Sequence, residues 1–266
     1  LKKYKIGEFS RFMGVSLKTL KHYEKYEIVV PEVDDDSNYR YYSYMHGGRM
    51  LRSRCFTQLG FTVKETSEIM TQKSCESIVE VLDSKEEEHQ REMLLLRLKI
   101  QRLKEIRKKY LLIRDHANGY SIENRKAYYF LKHVHDDEFI PGTVWNTAEM
   151  LMELQPHVLQ LAYHYKEELD KCSAKNNLGL GISKETAEQL MRIIPETMVL
   201  LEEQKCFLYY YSAPYQEGTK DIILKDAMAL MQKEGWTLAG DVVEGGYDQY
   251  IDGKRIYQCL IWIPIH

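Results

Sequence analysis

A short polar stretch, Leu17 to about Lys25, carries Lys18, Thr19, Lys21, His22 and Tyr23 within six residues, with Ser16 just before it. Ammonium groups bind phosphate as point charges, while hydroxyl and imidazole groups reach the donors and acceptors on base edges. Arg11 lies a few residues upstream. Downstream stands Asn38-Tyr39-Arg40-Tyr41-Tyr42. The Arg40 fork and the phenols of Tyr39 and Tyr41 can all donate to phosphate oxygens, and alternation assigns Tyr42 to a core. This is polyanion recognition chemistry. Bond-making chemistry is poorly represented: no Ser-His-Asp or Cys-His spacing occurs, and only a glutamate such as Glu244 acting on water would offer a catalytic route. No catalytic residue is assigned. The five cysteines, Cys55, Cys75, Cys172, Cys206 and Cys259, form no CxxC and are odd in number. That argues against a disulfide framework and a thiolate metal site, and is expected of small buried residues in a reducing compartment. No metal or cofactor is expected.

These groups need elements to hold them. A first helix from about Ile6 to Met13 is expected to turn Ile6, Phe9 and Phe12 inward. Gly14 supplies the tight turn, and the Ser16 hydroxyl caps a second helix whose apolar share is only Leu17, Leu20 and Tyr23. A helix so polar, yet braced by a partner helix, is what a major groove accepts. Asp34-Asp35-Asp36 reads as a solvated loop pointing away from any phosphate. Met50, Leu51, Cys55 and Leu59 follow at helical spacing, with Arg49, Arg52 and Arg54 between them, and at least one of these arginines is expected to reach a phosphate backbone.

Charge is uneven along the 266 residues. Residues 1–75 hold 13 Lys+Arg against 9 Asp+Glu, a net of +4, residues 76–118 have a net of +1, and residues 119–266 a net of −8. A basic front suits phosphate and an acidic remainder does not, so any nucleic-acid binding belongs to the front alone. The length suggests two domains and a connector. No run of 18 apolar residues appears and no signal peptide is visible, so a cytoplasmic location is expected, without a membrane partner.

From Ser84 to His116 neither proline nor glycine interrupts the chain. One helix of about 30 residues, roughly 45 Å long, is expected. Met93, Leu96, Ile100 and Leu103 step as a heptad seam, which then shifts to Ile106, Tyr110 and Ile113, a local stammer. A second copy of the helix is the economical cover for this stripe, giving a two-fold homodimer. Asn118-Gly119 ends the helix and marks a domain boundary.

Residues 119–266 carry 12 of the 20 tyrosines and all three tryptophans. Strand patterns are read over Ala127–His133, Leu178–Ile182, Met198–Leu201, Cys206–Ser212, Leu238–Val243 and Gln258–Ile263. Helices are read over Thr147–Lys171 and Lys220–Glu234. Strand-helix-strand-strand thus occurs twice, giving an α+β domain with an antiparallel sheet and a concave surface. Its candidate ligand-binding residues are Tyr128, Phe130, Trp145, Tyr163, Tyr209, Tyr211, Glu244 and Trp262, for a small aromatic or hydrophobic effector.

IGEFSRFMGVSLKTLKHYEK, then Pro31, then NYRYYS, then LGFTVKE over Leu59–Glu65, resemble the signature of the MerR family of transcription regulators. The likeness spans roughly Tyr4 to Met70. Tyr26-Glu27 departs from it, since the family usually has a glycine there. The resemblance implies a winged helix-turn-helix head over residues 1–75, a dimerisation helix in an antiparallel coiled coil over 76–118, and double-stranded promoter DNA with a pseudo-palindromic site as partner. It also implies a dimer that bends and untwists that DNA, so that RNA polymerase engages both promoter elements without direct recruitment. The setting implied is a bacterial nucleoid. Some such regulators sense metals through cysteines at the far end of the long helix, but residues 110–125 contain none.

CFLYYYSAPY, EGWTLAGDVVEGGYDQYIDG and LIWIPI resemble a GyrI-like effector domain of the multidrug-binding BmrR type, covering about 198–264 clearly. That implies bulky, often cationic, aromatic effectors. The family often carries a glutamate four residues before its final proline; here that position is Leu260, which weakens the case for a cation. Two alternatives remain open: a sensor domain that is vestigial or binds a protein, and a GyrI-like hydrolase using Glu244.

Overall fold

The computed structural model describes residues 1–71, 73–136, 138–170, 177–216 and 219–266, and these form two compact units, Leu1–Met93 and Leu94–His266. Cys172, and Lys171 at the end of one expected helix, lie outside the described residues.

The first unit opens with β1 (Tyr4–Lys5), α1 (Ile6–Met13) and α2 (Leu17–Lys25). It continues through β2 (Glu32–Val33), β3 (Arg40–Tyr42), α3 (Tyr44–Gln58), α4 (Val63–Thr71) and the first part of α5 (Cys75–His116). Gly14 takes φ 63°, left-handed backbone that closes α1 and turns the chain toward α2. The Ser16 hydroxyl accepts the Thr19 N–H at 3.0 Å and caps α2. The three strands pair antiparallel in the order β1-β3-β2 and form the wing. Phe9, Leu20, Tyr23, Ile28, Val29, Tyr42 and Met50 make the core. Phe12, expected inward, is 71% exposed. Ile6, Phe9 and Met13 take the inner line of α1 at steps of three and four, and Phe12 falls off it, resting edge-on against Tyr4. Leu51, Leu59 and Cys55 are also exposed, so of the four residues read at helical spacing only Met50 is core.

Glu27, standing where the family usually has glycine, adopts φ 57°. The loop keeps a left-handed residue despite the side chain. Arg49 Nε donates to the Ile28 carbonyl at 2.8 Å and fixes that loop from α3.

Helix α5 is one 42-residue element that begins at Cys75, nine residues before the expected start. It ends through Asn118, which takes φ 63°; Gly119 does not supply the left-handed residue. Along its outer side Met93, Leu96, Ile100 and Leu103 are 47–66% exposed. The stripe continues in the same heptad step through exposed Arg107 and Tyr110. Of the residues expected to carry the shifted seam, Tyr110 is exposed. Ile113 is 2% exposed and packs on Leu208, Tyr210 and Leu260 of its own chain, and Ile106 is half-buried. Helical spacing reveals a second apolar side without saying which surface covers it.

The second unit holds the rest of α5 and the elements β4 (Tyr120–Arg125), β5 (Tyr128–His135), β6 (Glu138–Phe139), α6 (Thr143–Glu153), β7 (Leu159–His164), α7 (Lys166–Asp170) and β8 (Asn177–Ser183). It closes with α8 (Lys184–Leu190), β9 (Val199–Leu201), β10 (Gln204–Pro214), α9 (Thr219–Lys233), β11 (Val242–Ile251) and β12 (Lys254–Pro264). The helix expected over 147–171 is too long. It stops at Glu153, Pro156 follows, and Leu159, Leu161 and Tyr163 alternate along strand β7. The sheet order is β4-β10-β12-β11-β7-β8-β5-β6, with β9 on β5. Two strand-helix-strand-strand halves, β5-α6-β7-β8 and β10-α9-β11-β12, meet where β7 pairs antiparallel with β11. One face packs under α9 and α6; the other packs under the second part of α5. Among the described residues no helix is long and apolar enough to cross a membrane.

Candidate functional site

On α2 the side chains of Lys18, Lys21 and His22 are exposed. Ser16 and Thr19 share a hydroxyl bond of 2.8 Å in addition to the cap, so their groups are already used in ordering the helix start. Tyr23, expected among the recognition residues, is 5% exposed and packs in the core of the head. The period of a nine-residue helix requires an inner side, and Leu20 and Tyr23 provide it.

Tyr39 and Arg40 are exposed on the wing and Tyr41 is half-buried. Together with Lys5, Gly7, Glu8, Arg11 and Asn38, Tyr39 and Arg40 line a notch of about 470 Å³ between the start of α1 and the wing. Lys5 Nζ lies 5.2 Å from the Tyr39 ring centroid. Lys5 escaped the sequence reading, because only the β1–β3 pairing, with Lys5 opposite Tyr41, brings it to the wing. Arg40 Nε lies 3.5 Å from Glu24 Oε2, and the Tyr42 hydroxyl donates to the other oxygen of Glu24. Tyr42 is fully buried and stacked on Phe9 at 4.7 Å; burial, then the Glu24 carboxylate, holds its phenol far above the usual range. Of the α3 arginines, Arg54 donates to the Met13 carbonyl at 3.3 Å and Arg49 is held as above, while Arg52 is exposed. Asp34 accepts from the Ser37 hydroxyl at 2.6 Å and from its N–H at 2.9 Å, which closes the acidic loop locally and holds the carboxyl below the ordinary value.

The expected effector residues divide between the two faces of the sheet. Tyr128, Phe130, Tyr163 and Trp262 share the face under α5, as the register β5–β8–β7–β11–β12 requires. Phe130 stacks on Tyr163 at 5.2 Å, and the Tyr163 hydroxyl donates to Asp241. Burial first, and then Asp241, push that phenol up. At Gly179 a Cβ would stand 2.0 Å from the Phe130 ring, so the missing side chain lets the ring lie on the sheet. Tyr209, Tyr211 and Glu244 occupy the opposite face. Tyr209 and Tyr211 belong with the α9 core, and burial raises both phenols. Glu244 is buried there, accepting from Tyr257 and standing 3.6 Å from His164 Nε2. Trp145 is exposed on α6, its indole N–H donating to Ile140 at 3.1 Å. Period two assigns alternate residues to opposite faces, and aromatic content alone could not rank them.

Helix α5 fills much of the face shared by Tyr128 and Trp262. Lys109 Nζ donates to the Gly245 carbonyl at 3.0 Å, and burial pushes its ammonium down to about 8. Leu98, Arg102 and Glu105 face Tyr128, His157 and Leu159 across a cleft of about 10 Å³, room for one water. Arg102 Nε donates to the Pro156 carbonyl at 3.1 Å. Neither Lys109 nor Arg102 stood out in sequence, because a cation on a long charged helix looks solvated.

The fold and site define a winged helix-turn-helix head, a long helix and an antiparallel sheet domain. Residues 4–73 match the MerR HTH family regulatory protein family, so the head is a MerR helix-turn-helix domain. The chain is 35% identical over 86 residues to the multidrug-efflux transporter 2 regulator of Bacillus subtilis (strain 168), covering 32% of each. It is 32% identical over 68 residues to the HTH-type transcriptional activator mta of the same organism, covering 26% of each. The matches thus span about a third or less of those relatives' length. Among solved structures it aligns with EcmrR in its DNA complex at 17% identity, 99% of both chains and a TM-score of 0.36.

Proposed function

We propose that this chain is a dimeric, effector-responsive transcription regulator whose head binds promoter DNA. The observation that carries the reading is the exposed set Lys18, Lys21 and His22 on a capped recognition helix, beside a wing presenting Tyr39 and Arg40. Cations in this arrangement favour a phosphate backbone, with His22 able to reach a base edge. The exposed α5 stripe supports homodimer formation, since four large apolar residues in heptad step bury best on a second copy. Two heads then read a site with two-fold symmetry. The test is recovery of duplexes from a randomised pool, followed by titration at rising salt and transcription in vitro. The reading fails if no duplex is retained at moderate salt.

The effector acts at the face of Tyr128, Phe130, Tyr163 and Trp262 in this proposal. The cleft beside Tyr128 has room for about one water, so an aromatic molecule entering there must compete with side chains of α5. An effector can shift the helix only by binding the displaced state more tightly. DNA bending of the kind such regulators impose costs on the order of 1–10 kcal/mol, which sets the scale of that preference. RNA polymerase is an indirect partner, and the cytoplasm is the compartment that fits. The same filled face favours a second reading, a sensor domain that takes no small molecule. Thermal shift against aromatic cations and anions separates the two.

A further inference from the structure

The DNA-binding reading leaves one buried charge on the recognition helix without a role. Glu24 sits on α2, 13% exposed at its side chain, on the side turned to the wing. One carboxylate oxygen accepts from the Tyr42 hydroxyl and the other lies 3.5 Å from Arg40 Nε. Tyr42 cannot swing away, being fully buried, stacked on Phe9 and paired with Tyr4 across β1–β3. Glu24 is thus clamped between a fixed phenol and an arginine that is half exposed at the notch. The ion-pair geometry engages Nε. The two terminal nitrogens of a guanidinium can form an end-on, two-pronged grip on phosphate.

We propose that Glu24 is a positioning residue for DNA binding: it ties the wing to the recognition helix and aims Arg40 at a backbone phosphate. The proposal rests on the DNA-binding reading and adds a residue of the wrong sign for phosphate. A carboxylate near a polyanion should by simple charge oppose binding, so its removal ought to help. If it aims Arg40, removal should hurt.

The two expectations differ in sign, which makes the test decisive. Duplex recovered from a randomised pool by the wild-type chain is titrated across a range of salt with wild type, Glu24→Gln, Arg40→Ala and the double variant. Glu24→Gln keeps the shape and an acceptor for Tyr42 but loses the charge that orients the guanidinium. The expected result is about tenfold weaker binding and a salt slope smaller by about one for each single variant. The double variant should be no weaker than Arg40→Ala alone, since both changes remove one contact. Tyr42→Phe, which drops the phenol bond but leaves the Arg40 pair, should keep the slope and report any simple loss of packing. Binding by Glu24→Gln equal to or tighter than wild type overturns the proposal, as does additivity in the double variant. If the wild type recovers no duplex, the DNA-binding reading itself fails, and the proposal with it.

Discussion

Replacing Lys109 by Met should stabilise the second unit, and the gain should depend on pH in a defined direction. Lys109 reaches from α5 onto the sheet face and is bonded to the Gly245 carbonyl, where burial lowers its pKa from 10.5 to about 8. A depressed lysine binds fewer protons folded than unfolded between about pH 8 and 10.5, so stability rises with pH across that window. Below pH 8 the whole penalty is present, and above 10.5 it is gone. The fall from 10.5 to about 8 corresponds to about 3 kcal/mol, an upper figure for a side chain that is not fully enclosed. Losing the bond to Gly245 returns about 1 kcal/mol. Methionine has similar length and packs well against Trp262 and Leu161, which line the same spot over Gly245. The net expectation at pH 7 is a gain of about 1–2 kcal/mol, or about 2–8 °C in Tm for a unit of this size. Differential scanning calorimetry of the full chain, variant against wild type from pH 7 to 10.5, reads both numbers. The difference cancels tyrosine ionisation common to both proteins. A variant less stable at pH 7, or an advantage that does not shrink as pH rises, refutes the argument that burial of this charge is what strains the face.

Three further outcomes are expected. Leu96→Glu or Leu103→Glu, both on the exposed stripe, should halve the solution mass at micromolar concentration while leaving circular dichroism largely intact; an unchanged mass removes these residues from any dimer seam. Glu27→Gly should raise the head's stability by about 0.5–1 kcal/mol, because the left-handed backbone at φ 57° strains a residue with a Cβ and the glycine's extra unfolded entropy offsets only part of that; a loss measured by urea denaturation would show that the side chain matters more than the backbone. Lys21→Ala should weaken DNA binding and lower the salt slope by about one, whereas Tyr23→Phe should leave affinity within about twofold, and the reverse ranking would put Tyr23 on the DNA despite its burial.

Much of the head could be read from the chain because its signals are local. Gly14 and Ser16 act on the backbone within three residues, and each does what its chemistry requires. The twice-repeated strand-helix-strand-strand pattern was also legible, through alternation in β5, β8, β10 and β12. Strand β7 was lost because its three apolar residues stand next to a proline and follow a helical run, which blurred period two into period three and a half. Site residues were harder. Tyr209 and Tyr210 are neighbours in sequence but face α9 and α5 respectively, and only the register with Ile261 and Leu260 assigns them. Ile113 looked like seam because a helix shows its apolar sides without naming the partner. Glu24 and Lys109 were invisible for the opposite reason: a charge in a polar helix announces nothing until the contact across the fold is known.

The proposed function depends on two basic heads being held together by the outer stripe of α5. Light scattering coupled to size-exclusion chromatography, on the chain alone and with a selected two-fold symmetric duplex, measures this directly. The expected result is a mass of twice 31.5 kDa without DNA and two chains per duplex with it. A single chain of 31.5 kDa at micromolar concentration, binding duplex one to one, would contradict it.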